Sequence, residues 1–236
     1  IGAAACEGDL VAFLDADDQW DRTKLEDQIA ILNADPRLVA LGSLMRYMSP
    51  NGRTMGIAGQ VIGTSEQALV QSARLMPFPI SSLLVRRSAF EAVGGFAEDL
   101  SDPNGAWAED LSFVAEIARK GQIATVPRVL GSYRLHTGSV SARHQAAIAR
   151  GKRFVRARLA ARDRGEELSY EDFSATYRPS LLQRHGDWVQ GCYRRAGLNR
   201  AIERPAAATA WGALAFACSP RYTTKRLLLQ RARVGG

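Results

Sequence analysis

A five-residue apolar run, Leu10-Val-Ala-Phe-Leu14, ends abruptly in Asp15-Ala-Asp17-Asp18. Its length fits a buried strand better than a helix. Side chains alternate along a strand, so Asp15 and Asp17 point the same way at its end. Ligands of α/β sheets collect at the carboxyl ends of strands. Three acids in four residues repel one another without a cation. The pattern predicts a hard-oxygen site for Mn2+ or Mg2+ that would also take substrate phosphates. The plainer reading is an acidic loop with Asp21 capping the next helix. An EF-hand starting at Asp15 fails, because Trp20 stands where that loop needs glycine and a strand precedes it. An aspartyl-nucleophile phosphatase fails too, because Asp18-Gln19 does not supply the Gly-Thr or Gly-Val expected there.

Beyond the acids, Leu25, Ile29 and Leu32 recur at helical spacing, and Asp35-Pro36 stops that helix. Residues 38–48 read as a strand and Pro50-Asn51-Gly52 as a hairpin turn. Ser65 is expected to cap a helix over residues 65–75. Residues 80–85 read as a strand, 88–93 as a short helix ended by Gly94-Gly95, and 98–108 as a polar loop. A helix is predicted over 109–120, with Gly121 as its stop. Strands are predicted over 122–126 and 129–135. From Ala142 the pattern is helical, broken near Pro179 and Pro205. Strands alternating with helices imply an α/β domain over residues 1–141, followed by a helical region over 142–236.

Charge divides at the same place. Residues 1–141 hold 12 Lys and Arg against 17 Asp and Glu, net −5; residues 142–236 hold 19 against 7, net +12. No nucleic-acid motif accompanies the basic half, so solvated helix faces are the plainer account and no nucleic-acid partner is expected. Peripheral contact with the anionic inner face of the plasma membrane is the other expectation. No apolar run reaches the roughly 18 to 20 residues of a membrane span. The cysteines, Cys6, Cys192 and Cys218, are odd in number and far apart, which suits a reducing, cytoplasmic setting.

Two further stretches can carry chemistry. Trp107-Ala-Glu109-Asp110 opens a helix, where acids meet the helix dipole favourably. Asp110 is a candidate general base, and the Trp107 indole in the flanking loop could stack on a sugar ring. His136, in Tyr133-Arg-Leu-His136-Thr-Gly-Ser-Val-Ser141, follows a strand and could complete a metal site with Asp17, suiting Mn2+ better than Mg2+.

Taken in order, these stretches resemble glycosyltransferase family 2. Ile1-Gly-Ala-Ala through Gly8 and Asp15-Ala-Asp17-Asp18 to Trp20 looks like the family's approach to its Asp-x-Asp motif. Lys24-Leu25 and Gln28 suit the helix after it. Val93-Gly-Gly-Phe96 with Glu109-Asp110-Leu111 resembles the acceptor-side segment, and Tyr133-Arg134-x-His136 with Ser139 and Ser141 the motif that closes the site. The resemblance implies an inverting, hexosyltransferase-like enzyme of bacterial cell-surface polysaccharide or glycoconjugate synthesis. Its fold would be GT-A: a mixed, mainly parallel sheet with helices on both faces. It is expected to be incomplete, because a nucleotide-binding strand and helix would precede Ile1. Donor and acceptor would be a nucleotide-diphosphate sugar and a glycan or lipid-linked hydroxyl. By the same resemblance Asp15 lies near the nucleotide, Asp17 and His136 hold a divalent cation, and Asp110 deprotonates the acceptor. Two alternatives stay open: a non-catalytic scaffold or binding module of this fold, and a metal-dependent nucleotidyl- or phosphotransferase.

Overall fold

The computed structural model describes residues 6–97, 100 and 108–234. Six strands form one mixed sheet: β1 (Leu10–Ala12), β2 (Gln19–Trp20), β3 (Leu38–Met48), β4 (Thr54–Ala58), β5 (Leu84–Arg86) and β6 (Gln122–Arg134). The order is β1-β5-β3-β6-β2, with β4 also on β3. Only β3 and β6 pair in parallel; the other pairings are antiparallel. The expectation of a mainly parallel sheet is thus corrected. β5 lies between β1 and β3, which run the same way, so it opposes both. The consequence matters for the site: β1, β3 and β6 all end on one edge of the sheet.

Helices α1 (Lys24–Ala34), α2 (Thr64–Gln71), α3 (Arg87–Ala92) and α4 (Glu109–Lys120) flank the sheet. Alternation along the strands separates two cores. Ala40, Val85 and Ile123 join Val70, Phe113 and Ile117 on one face. Their chain neighbours Leu41, Leu84 and Ala124 join Leu32 on the other. The remaining helices are α5 (Val140–Arg143), α6 (Gln145–Arg162), α7 (Tyr170–Thr176), α8 (Leu181–Ala201), α9 (Pro205–Cys218) and α10 (Pro220–Val234). Phe154, Val155 and Leu159 of α6 and Phe173 of α7 bury themselves against Leu111 and Ala115 of α4.

Several local expectations change, each for a visible reason. Asp21 does not cap α1: its carboxylate makes two 2.9 Å hydrogen bonds with Arg46, and Thr23 takes the N-cap position. The inward stripe of α1 is Lys24, Gln28 and Leu32, while Leu25 is exposed. Gln28 is drawn inward because its amide donates to the Leu41 and Ser82 carbonyls, both at 2.9 Å. Helix α2 starts after Gly63, whose N–H is held by Glu66 at 2.9 Å, and stops at Gln71 rather than 75. There Ala73 turns to φ +54 and the N–H groups of Arg74 and Leu75 both return to the Leu69 carbonyl. Residues 80–82 form a 3-10 turn instead of a strand, closed by the Ser82 hydroxyl on the Pro79 carbonyl at 2.8 Å. The two strands expected over 122–135 are one strand. Pro127 and Arg128 are the extra residues at its register shift, between the Val126 and Val129 pairs, where proline's missing N–H is tolerated. The 98–108 loop lies outside the described residues but for Leu100 and Ala108, as do Ile1 to Ala4 of the opening motif.

Candidate active site

The acidic motif leaves β1 and turns at once, with the Asp18 N–H bonded to the Asp15 carbonyl at 3.1 Å. What holds this loop is the 3-10 turn across from it. The Asp15 N–H donates to Ser81 Oγ at 3.1 Å, and the Trp20 indole N–H to the Ser81 carbonyl at 2.6 Å. Ser81 and Ser82 are wholly buried. Behind them the buried Lys24 ammonium donates to Gln28 Oε1 at 2.7 Å and sits 4.3 Å above the Trp20 ring. Burial pushes this ammonium down to about 8. A buried polar network of this kind rigidifies whatever it supports.

The end of β6 closes the site from the other side. Arg134 is the stitch: its N–H donates to Asp18 Oδ1 at 2.8 Å and its Nε to the Asp17 carbonyl at 2.8 Å. The same guanidinium reaches the Ser49 and Pro50 carbonyls of the β3–β4 turn, at 3.3 and 3.0 Å. Two residues later His136 Nε2 meets Asp17 Oδ2 at 2.8 Å. Ser139 fixes the histidine's turn by donating to its carbonyl at 3.0 Å, and also caps α5. Strand β2 returns beside β6 so closely that Gly131 is required: a Cβ there would lie 2.6 Å from the Gln19 carbonyl oxygen.

Charge on this edge is concentrated and negative. Burial pushes the Asp15 carboxyl up, the Ser81 hydroxyl eases it, and the charges of Asp17 and Asp110 add to the rise. Asp18 is nearly buried, and burial raises its carboxyl as well, against the Ser81 hydroxyl and the Arg134 N–H. Its Oδ2 is buried without a hydrogen-bond partner. Glu109 is likewise raised by burial, and then by Asp110 and Asp15. Glu109 and Asp110, in the first turn of α4, are therefore within electrostatic reach of the acidic loop. Asp110 Oδ1 accepts the Leu111 N–H at 2.6 Å, within the first turn of α4. From α6, Lys152 also feels Asp110, which works against the depression that burial imposes on its ammonium.

Asp15, Asp17, Glu109, Asp110 and His136 thus share one edge of the sheet; Trp107 lies outside the described residues. Ser81, Asp18, Arg134 and Lys152 were not given roles by sequence reasoning. Asp18 and Arg134 sit inside the quoted motifs, whereas Ser81 and Lys152 carry no local signal. The donor types suit a divalent cation. Asp17 Oδ2 and His136 Nε2 are spaced as adjacent ligands are, about 3 Å apart for metal–ligand distances near 2.1 Å. The orphaned Asp18 oxygen belongs to the same loop but does not complete a three-ligand group with them. Among the described residues no group of three or more His, Cys, Asp and Glu side chains could by itself hold a metal ion. Most of the coordination would have to come from phosphate and water, as is usual for Mg2+-type ions at nucleotide sites.

Residues 1–94 match the profile of the family described as Glycosyl transferase family 2. No curated protein matches the chain.

Proposed function

This chain carries a glycosyltransferase family 2 domain, and from that premise we propose that it moves a hexose from a nucleotide-diphosphate donor to an acceptor hydroxyl with inversion. The observation that carries the reading is the meeting of Asp17 with His136 on the edge that also gathers Asp15, Asp18 and Asp110. A cluster in which Asp15, Asp18 and Glu109 are raised first by burial and then by neighbouring carboxylates is costly as mere surface. It is useful where a cation and a diphosphate arrive together.

Asp110 takes the proton of the acceptor hydroxyl. The acceptor oxygen then attacks the anomeric carbon from the face opposite the leaving group. The anomeric C–O bond breaks, and its electron pair departs with the nucleoside diphosphate. Asp15 orients the nucleotide side, Asp17 and His136 would hold the divalent cation that meets the diphosphate, and Glu109 lines the acceptor side with Trp107. Bound Mn2+ or Mg2+ would supply positive charge to the departing diphosphate. The acceptor is a glycan or lipid-linked hydroxyl of cell-surface polysaccharide or glycoconjugate synthesis, and the protein works on the cytoplasmic side.

The test is a donor screen with sugar nucleotides against plain nucleoside triphosphates, with and without Mn2+. Release of nucleoside diphosphate only from a sugar nucleotide is expected. Asp110→Asn should lower that rate by about 100-fold or more, the usual range for a lost general base. Activity on plain nucleotides alone would favour a nucleotidyl- or phosphotransferase. No turnover with any donor would favour a scaffold.

A further inference from the structure

Helix α9 does not look like a surface helix. Pro205–Cys218 contains no Asp, Glu, Lys or Arg. One side of it packs inward, with Ala215 fully buried and the Trp211 ring 5.0 Å beneath the Arg195 guanidinium of α8. The opposite side is Ala206, Ala210, Ala213 and Ala217, repeating at helical spacing and exposed. Leu214 and Phe216 flank that stripe, and Phe216 is 50% exposed. A helix with no charged residue and Thr209 as its one hydroxyl belongs in an interior. Here half of it faces outward.

Helix α10 supplies what such a face lacks. It lies against α9, and Arg221, Lys225, Leu227 and Leu228 are exposed along it. Residues 205–234 together hold five Lys and Arg and no Asp or Glu. We propose that α9 and α10 form a docking surface for an anionic phospholipid bilayer, with the outer face of α9 in the interface and Arg221 and Lys225 of α10 on the headgroups.

Length, charge and position favour this occupant. At about 1.5 Å per residue α9 is about 21 Å long, short of the roughly 30 Å hydrocarbon core, so it lies along the surface. Among the described residues no helix is long and apolar enough to cross a membrane. A second copy would set one uniformly basic segment against another, whereas an anionic surface complements it. A nucleic acid would match the charge but leave the uncharged alanine face bare. Position also fits: Glu203, just before α9, accepts from Asn51 of the β3–β4 turn at 3.2 Å, the turn that Arg134 ties to the Asp17–His136 site. Docking would hold that site close to lipid-borne acceptors. The surface is argued from α9 and α10 alone, so it stands or falls apart from the transferase reading.

The experiment is co-sedimentation of the whole chain with vesicles, needing no turnover. One set is pure phosphatidylcholine and the other contains about 30% phosphatidylglycerol, a strongly anionic surface. Sedimentation with the anionic set is expected, weakening as salt rises to about 0.5 M, where the screening length is only a few ångströms. Arg221→Gln with Lys225→Gln should lower partitioning by about 30-fold, from about 1 kcal/mol per basic residue. Phe216→Ser should lower it in high salt as well, with the circular dichroism spectrum unchanged. Equal recovery with both vesicle sets would overturn the proposal. So would a Phe216-dependent dimer in light scattering without vesicle binding, or retention on nucleic acid instead.

Discussion

The Asp17 carboxylate and the His136 imidazole, 119 residues apart in the chain, are hydrogen-bonded at 2.8 Å. Each is held from behind: Arg134 donates to the Asp17 carbonyl and Ser139 to the His136 carbonyl. They form one unit facing the diphosphate in the proposed reaction. Asp17→Asn and His136→Ala should each lower turnover by about 100-fold or more, and the double variant should be little worse than the poorer single one. Initial rates with the donor found in the screen decide this. Losses that simply multiply would mean the two act independently.

Lys24 gives stability a pH dependence that can be read directly. Burial lowers its ammonium to about 8, from an ordinary 10.5. The native protein therefore gives up this proton before the unfolded chain does. The cost of a buried charge is fully present below about pH 8 and is relieved as pH climbs towards 10.5. Wild type should gain about 2 kcal/mol on Lys24→Met between about pH 7 and pH 10. Urea unfolding of both proteins across that range checks it, and a difference that stays constant with pH would refute the burial account.

Ser81 holds the acidic loop from behind. Ser81→Ala leaves the Asp15 N–H without its 3.1 Å acceptor, which should cost about 1–2 kcal/mol of stability. The loop should loosen too, raising the apparent KM for donor more than it lowers kcat. Unfolding midpoints and steady-state kinetics on one preparation test both parts. An unchanged KM would show that the hydroxyl supports the fold alone.

Gly131 is required by a backbone rather than by a side chain. A Cβ there would stand 2.6 Å from the Gln19 carbonyl oxygen and 3.1 Å from Met45 Cε. The methionine can rotate away; the carbonyl cannot. Gly131→Ala should part β2 from β6, destabilising the protein by about 1–3 kcal/mol, as overpacking does. Gly186→Ala in α8 is the control, because its Cβ would meet nothing within 4 Å. It should stabilise by up to about 1 kcal/mol through helix propensity. Equal melting temperatures for the two variants would remove the steric argument.

Much of this architecture is written locally. Apolar residues at strand and helix periods marked β3 and α4 to the residue, because each pattern is set by which side chains must leave water. The acid motif was legible because charge at the end of an apolar run is expensive anywhere in a fold. Less local matters were misjudged. Leu25 satisfied the period of α1 and yet lies outside, while Lys24 and Gln28 lie inside. Ser81 and Ser82 looked like strand residues until their partners, Asp15 and Ser43, were in place across the sheet.

By itself the sequence determined an α/β chain with an acidic loop after its first strand, a pair of acids at the start of α4, and a basic helical tail. Tertiary structure alone decided that Asp17 would meet His136, that Arg134 would stitch the loop to the β3–β4 turn, and that a buried Lys24–Gln28 pair would support it. The reason lies in range. Periodicity records how each segment meets water, and the segment carries that record itself. A hydrogen bond between residues 119 positions apart exists only once strand order and direction have carried both ends to one edge. Here that came from β1 and β6 running the same way on either side of β5 and β3.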